Sequence, residues 1–180
     1  PEYLFRSRGL SLMSIALFAW LPPVFGDLGS VGGGWVTGWL MGRGLTAEQA
    51  RKAVMWGGAS CCALSVLVAT AGSPWVWMGA ICLVYLGHYA LSANMFAVIS
   101  DVFPNSAAAR VTGLTGIAGG LSGFLFPLLV GRVVDRLSFT PVFLMVALMP
   151  AAGVLVLFLL LGRLTKLSVV GGQSSVATDD

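Results

Sequence analysis

The chain of 180 residues is apolar and carries little charge: 57% of its residues are hydrophobic, 9% are charged, and the mean hydropathy is +0.91. A soluble domain usually carries about 25% charged residues, so these few cannot form the polar shell of a water-soluble protein. The net charge of +3 comes from basic residues scattered between apolar runs, as in membrane loops. The composition predicts an all-α protein in a lipid bilayer and excludes nucleic acid as a partner.

The first apolar run, residues 11–41, is long for one membrane span, so we expect a tilt, or a kink at Pro22 and Pro23. Asp27 is interpreted as a hydrogen-bond acceptor near this break, with proton titration as the alternative. Small residues recur every four positions, along one face of a helix that another backbone can approach closely. They are Gly26, Ser30, Gly34, Gly38 and Gly42. The row predicts either a static packing contact or a sliding contact that gates a pathway.

Polar turns separate four further apolar spans, which gives about five transmembrane helices. The four spans are residues 53–71, 75–99, 107–134 and 142–161. In the turn before the first of them, Thr46 and Gln49 have the pattern of a helix start. A second glycine-rich face is predicted in the span 107–134. The bundle extends over residues 11–164, and residues 165–180 are predicted to be a disordered cytoplasmic tail.

The third span carries four polar side chains, His88, Tyr89, Ser92 and Asn94, which we predict as candidate substrate-binding residues. Polar groups are costly in hydrocarbon, so they normally face a cavity or a partner helix. His88 and Ser92 share a helix face and can line a solvated pathway; hydrogen bonding between helices is the alternative. No spacing typical of a metal site and no catalytic or cofactor-binding motif is found, so we expect no metal, no cofactor and no enzyme activity.

Several stretches of the chain carry a family resemblance. They are residues 18–22, 27–30, 32–35, 43–44, 50–52, 92–94, 100–104 and 131–143. Together they resemble the C-terminal half of the anion:cation symporter family of the major facilitator superfamily, especially its bacterial hexuronate and sugar-acid transporters. The resemblance implies that the five spans are helices eight to twelve of a twelve-helix fold, with the N-terminal half missing. Residues 1–10 would then be the end of helix seven and an extracytoplasmic loop.

The resemblance also implies a function. A transporter of this kind takes up a hexuronate or a related organic anion together with protons, by alternating access, across the bacterial inner membrane. Ser92 and Asn94 match the family's helix-ten pattern near the substrate cavity. A non-transporting membrane assembly subunit or a small channel is the alternative.

A loop motif completes the resemblance and predicts a conformational latch. Gly38, Gly42 and Arg43 match a degenerate copy of the family's cytoplasmic loop motif, in which an acidic residue usually precedes the arginine. That acid is missing here. Asp101 is therefore the expected partner of Arg43 or Arg110, in a contact that closes in one state of the protein and breaks in the other.

Overall fold

The structure is a computed structural model, and it describes residues 11–161. Every regular element in that part is an α-helix. The helices are α1 (Leu12–Phe18), α2 (Leu21–Gly42), α3 (Ala47–Ala63), α4 (Ser65–Thr70), α5 (Pro74–Val102), α6 (Asn105–Arg136) and α7 (Thr140–Leu161). The predicted end of helix seven at residues 1–10 and the predicted tail at residues 165–180 lie outside the described residues.

Four stretches in the described part are long and apolar enough to cross a membrane. They are Ala47–Thr70, which includes α3 and α4, Pro74–Val102, Asn105–Arg136 and Thr140–Leu160. With 22 residues α2 also has the required length, but its many glycines and Asp27 lower its hydropathy. The predicted all-α membrane bundle of about five spans is confirmed, and the chain is a multi-pass membrane protein.

The first apolar run is divided into two helices. Because α1 ends at Phe18 and α2 begins at Leu21, Pro22 and Pro23 lie in the first turn of α2. Proline is tolerated there because the N–H groups of a first turn have no acceptor within the helix. The chain therefore breaks just before the proline pair and does not kink at it.

The connection between α2 and α3 is tight and well capped. Gly44 has a φ of 96°, a left-handed conformation that glycine adopts without strain. The backbone N–H of Gln49 donates to the Thr46 hydroxyl at 3.2 Å, and the backbone N–H of Thr46 donates to the Gln49 side chain at 3.1 Å. This capping box confirms the predicted helix start, and it fixes the direction in which α3 leaves the loop.

The centre of the bundle is formed by α3, α5 and α7. Its buried residues are Met55, Ala59, Val98, Val102 and Val154, each at most 3% exposed. A second buried cluster, near the opposite end of these helices, contains Val68 of α4 with Trp77 and Ala80 of α5. Since α5 contributes to both clusters and also contacts α2, it is the helix around which the others are arranged.

In contrast, α6 lies at the periphery. None of its 32 residues is buried. A Cβ atom built on Gly116 or Gly120 would meet nothing within 4 Å. The glycine-rich face of α6 is therefore open in the described part of the chain.

Candidate functional site

One face of α5 is left uncovered between α2 and α7, and it carries most of the predicted polar residues. We call this face the α5 stripe: Tyr85, His88, Tyr89, Ser92 and Phe96. Tyr85, Tyr89 and Phe96 are 38%, 42% and 43% exposed. His88 is also exposed, and Ser92 is half-buried. His88 and Ser92, for which helical spacing predicted a shared face, therefore lie on an open surface of α5.

The aromatic side chains of the α5 stripe contact one another. Tyr85 and Tyr89 stack with ring centroids 6.2 Å apart and an interplanar angle of 17°. His88 meets Tyr89 edge to face at 5.8 Å and 81°. Such pairs stabilise each other beyond simple packing, so the three rings form one surface with a phenol hydroxyl at each tyrosine.

Tyr89 lies directly against the backbone of α2, because Gly26 has no side chain. A Cβ atom at Gly26 would come within 3.0 Å of the Tyr89 ring. Gly26 therefore leaves room for the Tyr89 ring against α2, and a larger residue at position 26 would push the ring away from α2. This contact connects the glycine row predicted in α2 with the polar residues predicted in α5.

A pocket of about 320 Å³ lies next to the α5 stripe, within the range of small-molecule pockets. Tyr85, His88 and Tyr89 line it on the α5 side. Its other lining residues are Cys62, Val84, Val146 and Pro150. The arrangement offers phenol and imidazole groups, which donate and accept hydrogen bonds, on an otherwise apolar wall.

Asn94 lies apart from the other three candidate substrate-binding residues. It is 1% exposed, and its amide donates to the carbonyl oxygen of Ala90 at 3.0 Å. The hydroxyl of Thr37, on α2, lies 2.7 Å from Asn94 Oδ1 and 2.9 Å from the carbonyl oxygen of Gly33. That hydroxyl has one proton and donates to one of them at a time. In this conformation Asn94 therefore bonds α5 to α2 and does not face the pocket.

Asp101 forms a salt bridge with Arg51, and the expected pairing with Arg43 or Arg110 is not formed in this structure. Arg51 Nε donates to Asp101 Oδ2 at 2.5 Å, with the two side chains 16% and 33% exposed. Arg51 Nη1 also lies 3.4 Å from Asn94 Oδ1. The physical reason is packing: Arg51 is in the first turns of α3, which lies directly against α5.

Arg43 and Arg110 lie elsewhere. The guanidinium of Arg43 is 4.0 Å from the centre of the Trp39 ring, at the end of α2. Arg110 is exposed near the start of the peripheral α6.

Sequence reasoning missed Arg51 as the partner of Asp101, although residues 50–52 belong to the resembling stretches. Arg51 could have been identified from its position one turn after the predicted start of α3, because a side chain there can contact the neighbouring helix.

The close contact of α2 lies beside the predicted glycine row. A Cβ atom at Gly29 would be 2.1 Å from the carbonyl oxygen of Leu86, and one at Gly33 would be 2.8 Å from Ala90 Cα. By contrast, Gly34, Gly38 and Gly42 are exposed and have nothing within 4 Å. The predicted close partner of α2 exists and is α5, but of the glycines in the predicted row only Gly26 faces it closely.

Two other sequence interpretations can be placed on the structure. Asp27 is exposed on α2 and makes no hydrogen bond to a described residue, and its interpretation as an acceptor at the helix break stays a prediction. Within residues 11–161, no three histidine, cysteine or acidic side chains come together as metal ligands would.

Comparison with known proteins gives close matches to bacterial transporters. The chain is 34% identical over 163 residues to the hexuronate transporter of Escherichia coli K12, a match that covers 89% of this chain and 38% of that protein. It is 28% identical over 176 residues to a probable galactarate/D-glucarate transporter of the same strain, covering 96% and 39%. It is 27% identical over 173 residues to the D-galactonate transporter of Escherichia coli O6:H1, covering 92% and 38%.

These matches extend over nearly all of the chain, but the chain spans only about two fifths of the length of each relative. No protein-family model matches the chain. The three relatives are named for transport of sugar acids, and none is named as an enzyme.

Proposed function

Because the chain belongs to the major facilitator superfamily, in the group of the sugar-acid transporters that it matches, we propose that it forms part of a secondary transporter for a hexuronate or a related sugar acid. The observation that carries the proposal is the 34% identity to a hexuronate transporter over 89% of the chain. Transport proceeds by alternating access, with the α5 stripe facing the substrate path.

The chemistry of the α5 stripe suits the hydroxyl groups of a sugar acid. The phenol groups of Tyr85 and Tyr89, the imidazole of His88 and the hydroxyl of Ser92 each donate or accept hydrogen bonds. Hydrogen bonds to substrate hydroxyl groups give strong discrimination, because a substrate that lacks them leaves buried polar groups unpaired. The aromatic rings supply the apolar surface that excludes water between these contacts.

The carboxylate of the substrate needs a cation that α5 does not contain. Between Pro74 and Val102 there is no lysine or arginine. An unpaired carboxylate in a water-poor site is costly, so its counter-charge must come from another segment. This supports the proposal that the chain has a partner that supplies the cation. That partner is the N-terminal half of the same transporter, which would also close the pathway from the other side.

The remaining parts of the proposal concern the cycle and its location. The relatives are bacterial, which supports a place in the bacterial inner membrane. We propose proton coupling, as the family resemblance implies.

In this scheme Asn94 positions α5 against α2 and is not itself a substrate contact. The Arg51–Asp101 salt bridge serves as the conformational latch, in place of a pairing of Asp101 with Arg43 or Arg110.

Uptake by the full-length protein that carries this chain tests the proposal. Expressed in cells without their own hexuronate uptake, it should accumulate glucuronate or galacturonate, and a protonophore should abolish the accumulation. Tyr89→Phe removes one hydroxyl and leaves the ring on Gly26. We expect KM to rise roughly fivefold to tenfold, as for a lost hydrogen bond in a binding site, with unchanged abundance in the membrane.

Leu83→Ala is the matched control, because Leu83 is 42% exposed on a different face of α5. It should leave KM unchanged. If Tyr89→Phe and His88→Ala both transport glucuronate with the KM of the unmodified protein, the α5 stripe is not the binding surface. If no sugar acid is accumulated at all, the transport proposal itself is wrong.

A further inference from the structure

A shallow apolar groove separates α2 from α3 on the side of the bundle away from the α5 stripe. Its volume is about 360 Å³. The walls include Gly32, Val36 and Leu40 of α2 and Ala53 and Gly57 of α3, and Ala90 of α5 forms part of the floor. We call this feature the α2/α3 groove.

Small residues open this groove. Gly29 and Gly33 bring α2 against α5, and Gly58 of α3 does the same, since a Cβ atom there would be 2.4 Å from the carbonyl oxygen of Gly87. Gly32 and Gly57 lie beside these contacts and have nothing within 4 Å. Both helices are thus held on α5, and at Gly32 and Gly57 no side chain fills the space between them.

A cation lies at the loop end of the groove. Arg43 follows Val36 by seven residues and Leu40 by three, so it continues the same face of α2. It is exposed, and its guanidinium lies over the ring of Trp39, which is itself 45% exposed. Tryptophan and arginine together are typical of the level of lipid headgroups.

At the end of α2, Arg43 lacks an acidic partner among the described residues. Arg51 is neutralised by Asp101, and Lys52 pairs with Glu48 at 2.5 Å. The local field at the end of the groove is therefore positive. A cation paired only with an aromatic face remains free to bind an anion, and arginine binds phosphate oxygens in a two-pronged geometry.

From these observations we infer that the α2/α3 groove binds an anionic phospholipid, with one acyl chain along the groove and the phosphate at Arg43. An acyl chain is narrow and flexible and fits an apolar channel in which leucine and valine side chains alternate with glycine and alanine. The charge at Arg43 selects lipids with a net negative headgroup. The inference requires only that the chain lies in a bilayer and does not depend on the transported substrate.

Native mass spectrometry of the full-length protein in mild detergent tests this site. Phosphatidylglycerol and phosphatidylcholine with identical acyl chains are the two probes. We expect phosphatidylglycerol to be retained more strongly, and Arg43→Gln to lower its retention about fivefold, the effect of one basic residue at a membrane surface, while retention of phosphatidylcholine stays the same. Arg136→Gln, an exposed arginine at the far end of α6, is the matched control and should change neither.

A second measurement locates the acyl chain. Phosphatidylglycerol with a photoreactive diazirine on the acyl chain should label peptides from residues 28–40 and 53–57, and Gly57→Leu, which fills the groove, should remove that labelling. Equal retention of the two lipids, or full retention by Arg43→Gln, overturns the inference. Absence of groove labelling in the unmodified protein also overturns it and indicates that a protein segment covers the groove. Transport is not measured, so failure here is distinct from failure of the proposed function.

Discussion

Arg51 and Asp101 form a salt bridge that joins the start of α3 to the end of α5. Arg51 is the more buried partner, and its guanidinium also lies near Asn94 Oδ1. Loss of one member of such a pair leaves a partly buried charge without its counter-charge, which costs more than the pair itself contributes. The contact therefore matters for how firmly α3 is held against α5.

Asp101→Asn should lower the free energy of unfolding. Hydrogen bonds to charged groups contribute about 1.5–3 kcal/mol, and because Asp101 is 33% exposed we expect an effect near the lower end, about 1.5 kcal/mol. The apparent Tm of the purified full-length protein in detergent is the measurement. Lys52→Gln is the control, since an i,i+4 pair on one helix contributes only about 0.3–0.5 kcal/mol.

A double-mutant cycle identifies the partner of Asp101. If Arg51 is the partner, the destabilisation by Asp101→Asn and by Arg51→Gln will not add in the double variant. Non-additivity with Arg43→Gln or Arg110→Gln, and additivity with Arg51→Gln, would instead support the pairing expected from the sequence and contradict the structure.

Asn94 illustrates what a sequence gives about a single residue and what it does not. Its place inside an apolar span predicts that it needs a hydrogen-bonding partner, and the structure supplies Thr37 and Ala90. Helical spacing places Asn94 on a different side of the helix from Ser92, but it does not say what either side contacts, because that depends on how neighbouring helices pack. The sequence therefore predicted Asn94 as a substrate-binding candidate together with His88, while the structure places Asn94 against α2.

The contact between α2 and α5 depends on glycine at two positions one turn apart. Gly29→Ala would place a methyl group 2.1 Å from the carbonyl oxygen of Leu86, so the helices must separate. We expect a loss of about 1–3 kcal/mol, the range for overpacking a tight interface. Gly38→Ala is the matched control on the same helix, because Gly38 is open. It should be neutral or stabilising by up to about 1 kcal/mol through helix propensity.

The apparent Tm of both variants, measured in the same detergent, decides between the two glycine rows. Equal stability of Gly29→Ala and the unmodified protein would mean that α2 does not pack on α5 as the structure has it. A larger loss in Gly38→Ala would move the close contact to the row predicted from the sequence.

The helices themselves were easier to predict than their contacts. Long apolar runs reveal spans because the bilayer requires about 20 apolar residues. The bounds differ where polar residues continue a helix beyond the apolar part, as in α5, which ends at Val102 and not near residue 99. The choice between Gly29 with Gly33 and the row through Gly38 was not available from the sequence, because both rows are small and both satisfy helical spacing.

The described part of the chain has two smooth faces that its own helices do not cover. One is the exposed row of Gly34, Gly38 and Gly42 on α2, and the other is the glycine face of α6. The chain also matches only about two fifths of the length of its relatives. Together these observations favour contact of both faces with further parts of the proposed transporter. Since glycine lets helices approach and slide, such contacts suit a protein that changes shape during each cycle.

Bulky side chains on these faces should therefore slow transport more than they weaken substrate binding. In the full-length protein we expect Gly38→Leu and Gly120→Leu to lower the maximal rate of sugar-acid uptake roughly tenfold, which corresponds to about 1.4 kcal/mol on the limiting step, with little change in KM. Neither residue contacts another described helix, so the packing of α2 on α5 should persist. Gly79→Leu, at an equally open position on α5, is the control and should transport normally. Normal maximal rates in both test variants would show that the two glycine faces meet only lipid, whereas a rise in KM without a fall in rate would place them at the substrate site.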